Sequence, residues 1–130
     1  MVTLVFVLSI VLIVLLTQNV MGQTRNSRRF GDINTLMYVV YEQAIAEDGF
    51  FHENIPTMET EICRFEAVDC TDFVDMSFLT DEGLYLNVIP TDPIDSTLNG
   101  SGYTIYKDAF DRIVLQAPHA ELGSFIYLIK

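Results

Sequence analysis

Two cysteines, two histidines and a few paired aspartates are the residues of this chain whose types could do chemistry. Cys63 and Cys70 stand close together in an acidic, polar stretch. Structural zinc needs four ligands, with CxxC-like spacing or histidine partners, and the sequence has no such grouping. The pair instead suits a short disulfide loop, which would put the domain in an oxidising compartment outside the cytoplasm. Two free thiols are the alternative, but free cysteine prefers apolar burial to a setting such as Glu61-Ile62-Cys63-Arg64. Asp92/Asp95 and Asp108/Asp111 could offer oxygens to calcium, yet EF-hand spacing is absent and acids on turns are ordinarily solvated. His52 and His119 sit beside loop signals, without a serine or cysteine placed as a nucleophile. No glycine-rich phosphate loop occurs. Asn99-Gly100-Ser101 fits the N-glycosylation pattern, and turn chemistry explains it as well. An enzyme is therefore not expected, nor any cofactor or metal.

The element that must position everything else is one long helix over residues 1–48. No proline precedes Pro56, and only Gly22 and Gly31 weaken the run before Gly49. Residues 1–16 are apolar apart from Thr3 and Ser9, and Arg25, Arg28 and Arg29 follow as a basic collar. From Ile33 the pattern becomes amphipathic: Ile33, Leu36, Met37, Val40, Ala44 and Ile45 recur at helical spacing and are expected to pack on the head. Gln43 is expected on the opposite face. At about 1.5 Å per residue such a helix is roughly 70 Å long, more than the remaining residues can cover. Its first part, residues 1–24, must find lipid or other copies of itself. A cleaved signal peptide ending near Val20-Met21-Gly22 is the alternative, although the charged n-region of such peptides is missing.

Charge is divided just as unevenly. The first 29 residues hold three arginines and no acid, whereas residues 30–130 hold four bases against all 18 acids, a net −14. So acidic a body is not expected to bind nucleic acid, which requires cationic surface. Residues 25–130 form the head, in which 25–48 is the amphipathic half-helix and 49–79 the disulfide-containing loop. Asp48-Gly49 is the stop signal, and Phe50-Phe51 is expected to fold back on the helix. A short helix is predicted from Thr80 to about Asn87, ended by Pro90, and residues 95–102 read as turn. Strands are predicted at 103–106, 112–117 and 125–129, giving a C-terminal sheet over 103–129. The fold class is α+β: a long N-terminal helix, half membrane-like and half amphipathic, packed on a small antiparallel sheet.

In order and spacing these features resemble type IV pilins and the pseudopilins of type II secretion. Tyr85-Leu86-Asn87-Val88-Ile89-Pro90-Thr91-Asp92-Pro93, followed by Gly100-Ser101-Gly102-Tyr103-Thr104-Ile105-Tyr106, is similar to their "YLxxIPxDP … GxGYxY" stretch. Ser27-Arg28-Arg29-Phe30-Gly31-Asp32-Ile33 is similar to the "ARRxxDI" segment after their membrane helix. The resemblance spans nearly the whole chain and implies a structural subunit, held in the inner membrane before assembly. Afterwards it would lie in an extracellular or periplasmic filament. The implied partners are copies of itself or related pilins, the membrane and the assembly machinery. Pilus and pseudopilus are not separated by these residues, and a secreted acidic binding module remains the reading from a different class. The family's processing site, a glycine before an "FTLIE" stretch, is absent. Either the start lies upstream, or this is a divergent subunit without that motif's glutamate.

Overall fold

The structure, a computed structural model, describes residues Met1–Lys130. One helix, α1, runs unbroken over Val2–Ala46. Four strands follow: β1 (Thr60–Cys63), β2 (Gly100–Lys107), β3 (Ile113–Ala117) and β4 (Ile126–Ile129). They form one antiparallel sheet in the order β1-β2-β3-β4, with α1 laid mainly across β3 and β4. This is the α+β arrangement expected from the sequence, with one strand more.

The core forms where the helix stripe meets the inner face of the sheet. Ile33, Leu36, Met37, Val40 and Ala44 are buried, and Tyr103, Ile105, Ile113, Leu115 and Ala117 come from the strands. The alternation of β2 and β3 sends these residues inward and their neighbours outward. Two assignments are corrected. Ile45 is 70 % exposed and does not pack on the head. Gln43 is only 5 % exposed, and its Oε1 finds no hydrogen-bond partner. At about 100° per residue, Gln43 lies roughly 60° from Val40, whereas Ile45 lies roughly 140° away. Position on the wheel prevails over polarity.

The connection from helix to sheet is more ordered than expected. Gly49, in the left-handed region at φ 89°, returns its N–H to Ala44 O at 2.7 Å and ends α1. Phe51 packs edge-on against Tyr41, with ring centroids 5.1 Å apart, while Phe50 is exposed. The stretch read as pure loop contains β1, whose outer edge is covered by Val74. Cys63 N donates to Val74 O, and Val74 N donates to Glu61 O, each at 2.9 Å. Cys63 and Cys70 are joined by a disulfide. In place of the short helix expected over 80–87 there are two single 3₁₀ turns, Ser77–Leu79 and Asp81–Gly83. β2 begins at Gly100, inside the expected turn, and a Cβ there would lie 2.3 Å from Glu61 Oε1. Any larger residue would displace the Phe73 ring and the Glu61 carboxylate, whose Oε1 accepts from Gly102 N at 2.8 Å.

Val40 and Gln43 are both buried, and two substitutions one turn apart have opposite expected effects. Val40→Asp puts an unpaired carboxylate in the core and is expected to abolish the cooperative thermal transition. Gln43→Leu removes an unsatisfied buried acceptor and is expected to add about 1 kcal/mol. Thermal melts of the full chain in detergent check both; a lower melting temperature for Gln43→Leu would mean that Oε1 has a partner.

Candidate functional site

Below the core stripe, the same face of α1 carries Gly22, Arg25, Asn26 and Arg29. Their spacing of three and four residues stacks them toward the head. Nothing apolar marks this stretch, yet it is where helix and head are locked together.

Arg29 is the centre. Its guanidinium grips Asp92 with two bonds, Nε to Oδ2 at 2.6 Å and Nη2 to Oδ1 at 3.0 Å. Nη1 donates to Glu121 Oε2 at 2.6 Å and to Asn26 Oδ1 at 3.1 Å, and Asp95 Oδ2 lies 3.6 Å from Nη2. The side chains of Arg29 and Asp92 are both fully inaccessible to solvent. A planar fork of five donors suits this multiple pairing as lysine would not. Arg25 adds Nε to Glu121 Oε2 at 2.7 Å and a second contact from Nη2 to Oε1. Asn26 and the Glu121 backbone exchange two hydrogen bonds, each 2.9 Å.

The head reaches these partners through tight backbone turns. Leu122 and Gly123 both have left-handed φ, 57° and 68°, and Ser124 N closes the turn on Glu121 O at 3.1 Å. A left-handed leucine costs about 1 kcal/mol. Here it lays the leucine side chain over Gly22, where an added Cβ would come within 3.2 Å of it. Asp92 is set by a second turn, accepting from Ile94 N at 3.0 Å and Asp95 N at 2.9 Å. Asp92 N donates to Ser101 O at 2.7 Å. Gly102 (φ 87°) lies so near that a Cβ would be 2.6 Å from Asp92 Cβ. The Asp92-Pro93 turn and the Gly100-Ser101-Gly102 stretch are thus two sides of one cradle for Arg29. A parallel link joins Asp32 to the next residue of β2, with Tyr103 Oη donating to Asp32 Oδ2 at 2.5 Å.

These contacts set the proton affinities. Burial pushes the Asp92 carboxyl up, but the Arg29 bonds and the two backbone N–H groups outweigh it and hold the group below its ordinary value. Hydrogen bonds from Arg25 and Arg29 bring Glu121 down to about 2. The Asp92 bond raises Arg29, against the opposing effect of burial. Asp32 goes the other way, raised by desolvation despite the Tyr103 bond.

The remaining singled-out residues are engaged elsewhere. Asp108 closes the β2–β3 turn, accepting from Phe110 N at 2.9 Å and from Arg112 N at 3.0 Å. Asn99 Oδ1 receives Val68 N at 3.2 Å, and Asn99 O receives Arg64 N at 2.7 Å, pinning the disulfide loop. His52 stacks on Phe78 at 3.8 Å, and His119 is exposed. The collar arginines were visible in the sequence. Their acids were not, because Asp92 and Glu121 lie 63 and 92 residues from Arg29. No protein-family model, curated protein or solved structure matches this chain. What the arrangement can do follows from its geometry: it fixes the angle between a long apolar helix and an acidic head.

Removing one member of a buried pair strands the other charge, so Asp92→Ala is expected to cost about 3–5 kcal/mol in chemical denaturation. The pH dependence has a definite sign. Asp92 and Glu121 bind protons more weakly folded than unfolded, so their stabilisation is complete at neutral pH. It is lost as pH falls from about 4.3 toward 2. Asp32, raised on folding, acts in the opposite sense: its cost is relieved as pH falls through its raised folded value, ahead of the losses at Asp92 and Glu121. Denaturation midpoints measured from pH 7 to pH 2 check it; a flat profile would mean the clamp is open.

Proposed function

We propose that this chain is a structural subunit of a type IV pilus-like filament, assembled by bundling of N-terminal helices. The observation that carries the reading is the division of α1. It contains a segment long and apolar enough to cross a membrane, and none of that segment is covered by the protein's own head. The other half is covered on one face only. Phe30, Tyr38 and Ile45 stay exposed on the side turned away from the sheet. A binding module released by signal cleavage would instead cover its helix with its own domain. The resemblance in residues 27–33, 85–93 and 100–106 supports the same reading.

The mechanism is physical. In the inner membrane, lipid surrounds residues 1–16. Ser9 and Thr17 meet their hydroxyl needs within the helix by bonding Val5 O at 2.8 Å and Ile13 O at 2.9 Å, so neither demands water. In a filament, neighbouring helices replace lipid around the same surface. Hydrophobic energy then changes little, and close packing decides the transfer. The Arg29 clamp keeps each head at a constant angle to its helix, so identical subunits repeat with one geometry. The disulfide suits a head outside the cytoplasm, in an extracellular or periplasmic filament. A pseudopilin of a type II secretion system would work by the same mechanics.

The test is photo-crosslinking in cells, with a benzophenone amino acid at Phe6 or Tyr38 of the full chain. Both positions are expected to give ladders at multiples of the subunit mass. N-terminal sequencing is expected to find residues 1–16 retained. A mature protein starting near Gln23, with monomeric adducts only, would favour the secreted binding module.

A further inference from the structure

The β4 edge of the sheet is open, and it is open in a particular way. Antiparallel pairing with β3 puts Ile113 opposite Lys130, which exchange hydrogen bonds of 2.9 and 3.0 Å. The register continues with Leu115 opposite Leu128 and Ala117 opposite Ile126. Because bonded and non-bonded pairs alternate, Tyr127 and Ile129 turn their N–H and C=O groups away from β3, out of the sheet edge. The same residues turn their side chains to the outer face, where Phe125 is 92 %, Tyr127 56 % and Ile129 47 % exposed. Natural edge strands are commonly guarded by charge, proline, a bulge or a covering segment. β1, at the other edge, is covered by Val74. β4 is short, and the lysine that follows it, Lys130, carries its ammonium over the Tyr41 ring of α1; from Gly123 to Ile129 there is no charged residue and no proline, in a body of net charge −14.

We infer that β4 pairs with β4 of a second copy, joining two heads edge to edge. The occupant is a second copy because the edge complements itself. A two-fold axis at Leu128 sets Tyr127 against Ile129 of the partner subunit, and the reciprocal contact follows by symmetry. Both outward-facing residues are then used twice, giving about four backbone hydrogen bonds. The cross-strand neighbours are an aromatic and a β-branched residue, a favourable combination. Lys130 falls opposite Ile126 of the partner subunit, so no like charges meet at the seam.

The symmetry also sets the direction of the joined molecules. That axis stands perpendicular to the sheet and so reverses the helix lying on it. The two apolar segments leave the paired heads in opposite directions. The contact therefore joins heads presented by two facing surfaces and is distinct from the side-by-side helix contacts of one filament. This directional part rests on α1 acting as a membrane anchor; the pairing itself does not.

The test uses the full chain and two charge variants, Tyr127→Lys/Ile129→Lys and Tyr127→Glu/Ile129→Glu. All these side chains lie on the outer face, away from the core. In detergent, light scattering is expected to give a twofold lower protein mass for either variant than for the unaltered chain. Mixing the two variants is expected to restore the mass, since opposite charges then face across the seam. In phosphatidylcholine vesicles, the unaltered protein is expected to cluster the vesicles. Each variant alone should leave them dispersed, and vesicles of the two variants should cluster when mixed. An unaltered chain with the same mass as the lysine variant overturns the pairing, as does a mixture that fails to restore it. Vesicles that stay dispersed while the mass doubles overturn the facing-surface geometry. Failure of the protein to float with lipid overturns the anchor alone, and the detergent masses still decide the pairing.

Discussion

A single buried guanidinium holds this molecule in its shape. Arg29 sits without solvent contact between helix and head, with Asp92, Glu121 and Asn26 converging on it. An arginine so placed loses its hydration, and only a full set of acceptors at close range offsets that loss. Asp92 supplies two, Glu121 and Asn26 one each, and Asp95 adds a longer contact. An apolar joint of similar size could be as stable, since hydrophobic burial has no direction. A bidentate ion pair has direction. Once Arg29 faces Asp92 and Glu121 together, rotation or sliding of the helix breaks bonds whose loss leaves charges buried.

The demands of that ion pair reach into the backbone. Asp92 can face Arg29 only if its turn is fixed by two backbone N–H groups and if β2 passes close by, which Gly102 allows. Glu121 can reach both arginines only from a turn with Leu122 and Gly123 in left-handed conformations. Backbone strain of this kind persists where the surroundings over-determine it, commonly at working parts of a protein. The disulfide loop, tied to Asn99 just before β2, supports the start of the same strand. Helix, turns and loop thus act together to present a free apolar half-helix and an exposed helix face at a fixed angle to an acidic head.

Much of this was legible in the sequence, for physical reasons particular to each element. The long helix shows because residues 1–48 lack proline, and its core face shows because Ile33, Leu36, Met37, Val40 and Ala44 keep one period. The disulfide shows because two cysteines stand close together in a polar setting. Three strands show through alternation of branched and aromatic residues. What was hidden required knowledge of distant chain. β1 has only four residues and draws its stability from β2 and Val74. Ile45 and Gln43 exchange roles because angular position, not side-chain polarity, decides burial at the edge of the stripe. Below Ile33 the buried face continues through Arg29, Asn26, Arg25 and Gly22, where no hydrophobic pattern marks it. Arginine in a collar reads as solvated until its acids are found.

Distance measurement between the two halves tests the central claim most directly. Spin labels at Leu12→Cys and Phe110→Cys, both exposed and neither part of the clamp, report the angle of helix to head in the full chain. Pulsed electron resonance in detergent is expected to give one narrow distance distribution. In an Arg29→Met background the distribution is expected to broaden markedly while the sheet remains folded by circular dichroism. An equally narrow distribution without Arg29 would show that apolar packing alone orients the head, and would contradict the account.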